Sequence, residues 1–484
     1  MDLPHELIVG VVECVADSKT LASLSTSCRF LHSLAEPLIY HRFLLRSGKE
    51  MTKLERILWS RKDRMAMIRD FDFACDGEKR QNFSAMVALL YGASQLRKFN
   101  FESPNCNPAD FEDEDQWDKT IGRVLNLFSQ AISGSPGGHF HPFKHLNTLT
   151  LHCNGPSSPF WTIQKNTFAI FLLPSLDNLT LSCVNLNAEI RKFVQNEHLA
   201  STPLKALKLI ECNVNHLALH AVLSIPKALT HLEIDEACHN LVNFSVNRSS
   251  HHNNLFAKHA RKTMDALRQQ KGSLASLTYG TTIKDRTPTP TVQGGDEVDG
   301  AFSEFTTLQT ICLRRSSPVF ERAVMTLHPP PNLQTLTNTG AAPFTDFTHD
   351  EMYDHLIDDP ECPLSIPFLR APSSFIPASL RTLDVIVEDS SRSGYFNREH
   401  CRKFIEDTTK HLKTANSIDL RAWAQDSPSR HNFFPPYLHG EAEDPRVRVY
   451  NPDEGKWLSR YARPAPPRSG FTVAEERNYY PLPI

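Results

Sequence analysis

The chain of 484 residues lacks the short motifs that most directly signal catalysis. It contains no G-x-S-x-G elbow, no G-x-x-x-x-G-K-[ST] phosphate loop and no H-E-x-x-H, the patterns that serve acyl transfer, nucleotide binding and zinc hydrolysis. Its eleven cysteines stand singly with no C-x-x-C, so neither a zinc knuckle nor a disulfide framework is expected; reduced thiols, in the cytosol or nucleus, are the simplest account. The formal net charge of −3 gives no electrostatic case for nucleic acid. No run approaches the roughly eighteen apolar residues of a membrane helix, and no basic segment followed by an apolar stretch opens the chain, so neither a membrane span nor a secretory signal is expected. Glycine is scarce beside proline, 19 against 33, which predicts many stiff turns.

Ligand-like side chains are densest at Asp346, His349, Asp350, Glu351, Asp354, His355, Asp358 and Asp359. The two histidines do not align on one helix face, and no glycine supplies the turn of a calcium loop. A solvated acidic loop is the expectation. Cys153, Cys183, Cys212 and Cys238 follow apolar strand-like cores and are expected to be buried packing residues. No catalytic group, metal or cofactor is assigned.

What the sequence has is a repeated spacing: apolar, two residues, apolar, one residue, apolar. It runs through Ile68-Phe71-Phe73, Leu96-Phe99-Phe101, Leu146-Leu149-Leu151, Leu176-Leu179-Leu181 and Leu204-Leu207-Leu209. It goes on through Leu229-Leu232-Ile234, Leu274-Leu277-Tyr279, Leu308-Ile311-Leu313, a weak copy at Leu333-Leu336-Asn338, and Leu380-Leu383-Val385. The copies from Leu146 and Leu204 extend to Asn154 and Cys212, completing L-x-x-L-x-L-x-x-N/C, the leucine-rich-repeat signature. Helix-like segments fall between, among them Phe83–Tyr91, Trp117–Ile132, Leu217–Ile225 and Arg398–Leu412. Leu-led strands in fixed register favour stacked repeats over a doubly wound α/β domain, whose strands would be continuous Val/Ile runs. The predicted fold class is therefore α/β: an irregular leucine-rich-repeat-like solenoid over 65–423, interrupted by a disordered insertion at 285–300 that has almost no apolar content. A Pro-rich tail, 424–484, is expected to be extended and to dock on the solenoid.

The first forty residues have a different period. Leu7, Ile8, Val11, Val12 and Val15 fall on one helical face, Asp17–Thr20 offers N-caps for a second helix, and Leu24, Cys28, Leu31 and Leu38 continue the stripe to Pro37. Three short amphipathic helices are expected over 1–45, too few residues for a robust core of their own. A basic linker helix is expected over 46–64; its lysines and arginines interleave with apolar residues and are read as a solvated face. On periodicity alone, the three helices equally suit a cap on the solenoid.

The segments Leu3-Pro4-His5-Glu6-Leu7, Leu24 to Cys28-Arg29-Phe30-Leu31, and Pro37-Leu38-Ile39-Tyr40 resemble an F-box in the degenerate form common in fungal proteins. The resemblance covers about the first forty-five residues. It implies binding of the Skp-type adaptor of an SCF ubiquitin ligase, and through it a cullin ligase, with Leu3, Pro4, Leu7, Ile8, Val12, Leu24, Cys28 and Leu31 facing or supporting the adaptor. The expected function is that of a substrate receptor, not an enzyme, holding an unidentified target protein on the solenoid. A repeat scaffold unconnected to ubiquitin is the alternative. In each strand the residues flanking the inward apolar pair face out. The candidate target-binding set is therefore Asp70, Asp72, Lys98, Asn100, His152, Lys208, His231, Glu233, Asp235, Arg314 and Asp384.

Overall fold

The computed structural model describes residues 4–74, 84–102, 114–133, 143–152, 160–236, 255–280, 300–314, 328–339, 377–389, 399–426 and 447–457, together with Val298, Phe320, Ala323 and Val324. The acidic group at 346–359, Cys153, Cys238 and all of the 285–300 insertion except Val298 and Gly300 lie outside these residues. Val298 is buried, so the apolar core resumes before the insertion's expected end.

Three helices come first. α1 (His5–Glu13) begins directly after Pro4, whose φ of −54° suits a helix entry. α2 (Ser18–Ser27) is capped by Asp17, which accepts the Thr20 N–H at 2.8 Å. α3 (Arg29–Ile39) is capped by Cys28, whose Sγ accepts the Leu31 N–H at 3.4 Å, and it runs through Pro37 instead of ending there. Val12, Leu21 and Ala35 form a small core of their own, lined by Ile8, Val15, Leu24, Leu31, Leu34, Leu38 and Ile39. Tyr40 and Phe43 already pack on the large core of the rest of the chain. The divide between the two cores thus falls between Ile39 and Tyr40, a few residues before the expected boundary at 45.

The solenoid opens with β1 (Arg42–Leu45), which pairs in parallel with β2 (Asp70–Ala74). Between them lie α4 (Gly48–Trp59), with a capping box between Ser47 and Glu50, and the single turn α5 (Lys62–Met65). The expected linker helix is therefore the helix of the first repeat. Its buried Met51, Leu54 and Leu58 face the core. Next come α6 (Ser84–Gly92), β3 (Lys98–Glu102), α7 (Glu114–Ser133), β4 (Thr148–His152), the short β5 (Trp161–Thr162), β6 (Asn178–Ser182) and β7 (Val184–Leu186). β8 (Ala206–Ile210), β9 (Asn213–Val214), α8 (His216–Leu223), β10 (His231–Asp235), α9 (Leu255–Arg268), β11 (Ser276–Gly280), β12 (Thr310–Arg314) and β13 (Thr335–Thr339) follow. The chain then forms β14 (Thr382–Asp389), α10 (Glu399–Asn416), β15 (Asp419–Asp426), β16 (Val447–Arg448) and a hairpin of β17 (Tyr450–Asn451) and β18 (Lys456–Trp457). The helix-like spacing at Thr167–Leu173 and Ala188–Val194 also predicts helices; there the chain forms 3-10 turns, Thr167–Leu172 and Ala188–Lys192. Both 3-10 turns fall in repeats that also contribute a strand to the small parallel sheet β5-β7-β9.

All ten copies of the apolar spacing become strands of one sheet, in the order β1-β2-β3-β4-β6-β8-β10-β11-β12-β13-β14-β15-β16. Every pairing from β1 to β15 is parallel and unshifted: Phe99 faces Leu149, Leu149 faces Leu179, Leu179 faces Leu207, and Leu207 faces Leu232. The register follows from the pattern, because slipping one residue would send every inward leucine to the opposite face. Burying each such side chain contributes about 1.5–3 kcal/mol. Toward the N-terminal end phenylalanine replaces leucine, and Phe71–Phe99 and Phe73–Phe101 make cross-strand ring contacts at 6.0 and 5.8 Å.

The expected end at 423 needs correction. β15 continues to Asp426, and residues 447–457 return as β16, antiparallel to β15, and then as the hairpin. Trp457 Nε1 donates to Glu406 on α10 at 2.6 Å, and Arg402 stacks over its ring at 5.3 Å. A short antiparallel strand at the sheet's end pairs backbone groups that an edge would leave open. Residues 458–484 lie outside the description.

Candidate functional site: two surfaces on one scaffold

The sheet face that carries the residues between the inward pairs is built in rows. Along the outermost row, Asp70, Lys98, Thr148, Asn178, Ala206, His231, Ser276, Thr310, Thr335, Thr382 and Asp419 lie in register. The next row runs Leu44, Asp72, Asn100, Thr150, Thr180, Lys208, Glu233, Thr278, Cys312, Thr337, Asp384 and Arg421. Its charges stand in three groups, at Asp72, at Lys208 and Glu233, and at Asp384 and Arg421, with the threonines Thr150, Thr180, Thr278 and Thr337 between them.

Those charges pair across strands. Asp72 accepts from Arg42 at 3.1 Å and from the Asn100 amide at 2.6 Å, with Lys98 at 3.9 Å. Glu233 takes Lys208 at 3.4 Å on one side and Arg314 on the other. Arg314 stands two strands from Glu233 and reaches over β11, where Gly280 leaves the space; a Cβ there would meet Arg314 Cβ at 2.9 Å. Asp384 receives two bonds from Arg421, both at 2.7 Å, and one from Trp423 Nε1 at 2.8 Å.

Of the candidate target-binding residues, Lys208 and His231 are exposed, while Asp70, Lys98, Asn100, Glu233, Asp235 and Arg314 are half-buried. Three depart from the expectation of an outward, solvated side chain. Asp72 and Asp384 are buried by the partners just named, and His152 at the end of β4 is only 1 % exposed. His152 Nε2 lies 4.0 Å from Cys183 Sγ, and the Cys183 thiol donates to Glu211 at 3.8 Å. Cys183 and Glu211 follow β6 and β8 directly and share a left-handed φ of 54° and 53°, so the chain turns inward there and closes over the end of the row. Cys183 and Cys212 are buried, and burial pushes the Cys212 thiol well up, leaving it a neutral packing residue. Leu44, Arg421 and Trp423 belong to the same face and were not among the candidates. β1 begins from Tyr40-Phe43-Leu45, inside the segment assigned to the helices, and β15 from Ser417-Leu420-Ala422, which has lost two of its three leucines.

The N-terminal helices form the second surface. Leu3 lies outside the described residues. Pro4 and Cys28 are exposed, Cys28 as the cap of α3; Ile8, Leu24 and Leu31 are half-buried, and Val12 is buried in the three-helix core, where it supports the surface without reaching it. Leu7 is 55 % exposed and Val11, one turn on, 62 %. Val11 belongs to the apolar stripe but not to the candidate adaptor-facing set; its spacing from Leu7 is the signal that marks it. His5 stacks on Phe30 at 4.8 Å and ties α1 to α3. Glu36 on α3 reaches Arg64 at 2.6 Å and Arg61 at 3.8 Å, joining the helices to the first repeat.

Among the described residues no three His, Cys, Asp or Glu side chains are arranged to hold a metal ion, and no helix is long and apolar enough to cross a membrane. No protein-family model matches the chain, and no curated protein matches it. Among solved structures it is similar to the LRIM1/APL1C complex, at 8% identity and a TM-score of 0.27, covering 76% of this chain and 54% of that one. The chain's own strand register makes it a leucine-rich-repeat-like parallel solenoid with a helix-rich N-terminus.

Proposed function

We propose that the chain is the substrate-recognition subunit of an SCF-type ubiquitin ligase. The N-terminal helices bind a Skp-type adaptor and through it a cullin ligase, while the row-built sheet face holds a target protein, in the cytosol or nucleus. Ubiquitin chemistry belongs to the partners; this chain contributes proximity. The observation in its favour is the pair Leu7 and Val11, two large apolar side chains on one face of α1 that stay exposed outside the small core of Val12, Leu21, Ala35 and the side chains packed on it. Apolar side chains grouped on a surface mark a contact more often than chance exposure does.

The target face suits a polypeptide bound through hydrogen bonds. Its charges are largely cancelled within the sheet: among the described residues Arg42, Arg314 and Arg421 are each taken by a carboxylate, which favours a neutral, hydroxyl- and amide-rich segment over a phosphorylated one. A repeat scaffold unconnected to ubiquitin is the second reading. It draws support from the Glu36 contacts to Arg61 and Arg64, which make the helices look like an end cap.

Co-purification with a Skp-type adaptor tests the proposal. Leu7→Asp with Val11→Asp places two charges in the apolar contact, which costs several kcal/mol there. Both positions lie outside the core, so circular dichroism stays at the wild-type value while adaptor capture is lost. Capture that survives the double substitution rejects the assignment.

A further inference from the structure

α9 is interrupted near its start. His259 has φ −140° and ψ 38°, outside the helical well, so Leu255–Lys258 form a separate turn joined to the rest by a hinge. The turn is held from three sides. Its first N–H, on Leu255, donates to Glu236 Oε2 at 3.1 Å, a contact between residues 19 apart in sequence. Phe256 packs edge-on against Tyr279 at 4.8 Å and against Phe320 at 4.6 Å. From beyond the hinge, Thr263 Oγ1 donates to the Leu255 and His259 carbonyls, both at 2.9 Å.

Glu236 is the polar centre of this arrangement. It is buried at the end of β10, and the Tyr279 hydroxyl donates to its Oε2 at 2.7 Å. Its Oε1 is buried and has no hydrogen-bond partner among the described residues. A carboxylate in that position has one oxygen without compensation, whereas a protonated carboxyl carries no charge to solvate. Among the described residues the titratable groups around it are Asp235 on its own strand, Tyr279 on β11, Lys258 on the hinged turn, and Cys212 on the β8–β9 side, beside which Glu211 also lies. Burial dominates, pushing the Glu236 carboxyl up to about 7, against which the Tyr279 and Leu255 bonds pull it down.

We propose that the first turn of α9 is a hinged, proton-operated latch, docked on the sheet while Glu236 is protonated and released as Glu236 ionises. When the turn lifts, the carboxyl meets water and returns toward its ordinary value of 4.5, so ionisation draws the equilibrium toward the open form. Opening therefore increases as pH rises through the interval between those two values, by roughly 10- to 100-fold from pH 5 to pH 8. The other titratable pair at the hinge works in the opposite sense. His216 and His259 stack at 4.2 Å, and burial holds both below the ordinary histidine range, so their protonation loosens the hinge only at the acidic end.

Hydrogen exchange of the full chain, resolved at residues 255–262 and corrected for the intrinsic pH dependence of exchange, tests the latch. Wild type loses protection by roughly 10- to 100-fold from pH 5 to pH 8 relative to Glu236→Gln, which keeps the hydrogen-bond acceptor and both histidines but cannot ionise. Tyr279→Phe removes a bond that favours the carboxylate, so its transition moves to higher pH. Equal pH dependence in wild type and Glu236→Gln overturns the proposal. So does a transition midpoint that Tyr279→Phe leaves in place, a reading that stands even if the Gln variant fails to fold.

Discussion

At the scale of the residue, the same substitution has opposite signs in two places because of what surrounds it. Gly122 lies in α7 with nothing within 4 Å of the position a Cβ would take. Gly122→Ala therefore removes only backbone freedom from the unfolded chain and should stabilise the protein by about 0.5–1 kcal/mol. Gly280 ends β11 beneath the arginine that crosses it, and an added Cβ would stand 2.9 Å from Arg314 Cβ and 3.1 Å from Asp235 Oδ1. Gly280→Ala should destabilise by about 1–3 kcal/mol and push Arg314 off Glu233. Urea denaturation midpoints of the two variants check this; a shift in the same direction for both means that Gly280 is not holding that gap. Nothing in the sequence separates the two glycines. The contact that decides the sign is made between strands far apart in the chain.

Strands and helices divide the prediction differently. The alternation of inward and outward residues is a property of each strand, so its energetic consequence is local. Leu149 and Leu207 are fully buried, and replacing either with Ala opens a cavity costing about 2–5 kcal/mol. Lys208 is exposed on the opposite face and its bond to Glu233 is shared with Arg314, so Lys208→Ala should cost no more than about 1 kcal/mol. Thermal unfolding of the three variants measures the difference, and equal losses at Leu207 and Lys208 would remove the two-faced strand from the account. This phase was legible in the sequence at ten strands because an apolar residue marks the turn before each strand and both of its inward positions, except at β13, where Asn338 takes the second. It was illegible at β15, where serine and alanine occupy two of the three, and at β1, where the pattern overlaps the amphipathic helices. The helices were legible where a 3.6-residue stripe runs for several turns, as in α7 and α10; a 3-10 turn has too few residues for its apolar spacing to be told from that of a short α-helix.

For the whole molecule, the two apolar cores meet at Ile39 and Tyr40, and the question is whether the first depends on the second. Under the receptor reading, the three helices are a module whose exposed apolar residues await an adaptor. Removing residues 1–38 then leaves β1, Tyr40 and α4 in place, and the truncated chain runs as a monomer on size exclusion while losing adaptor capture. If the helices are the solenoid's cap, the same deletion uncovers the first repeat and the chain aggregates, which rejects the modular account. The divide at Ile39–Tyr40 makes residue 38 the informative cut. A cut at 45 would delete β1 and expose β2 whatever the helices do.

By itself the sequence determined the repeat: the spacing of leucines dictates which side chains point inward, and a shared spacing dictates a shared register, so the parallel sheet follows from periodicity alone. It also determined that the first forty residues form something else, because a period of 3.6 cannot be accommodated in a strand. Tertiary structure alone decided which outward residues remain available. Asp72 and Asp384 carry the same outward phase as Lys208, yet their charges are taken up by neighbours contributed from other repeats, and His152 is closed over where the chain turns at Cys183 and Glu211. It alone put Glu236 against the N–H of Leu255 and the hydroxyl of Tyr279. Periodicity reports the direction of a side chain from its own strand; its partners, its solvation and its proton are set by residues that meet it only when the repeats stack.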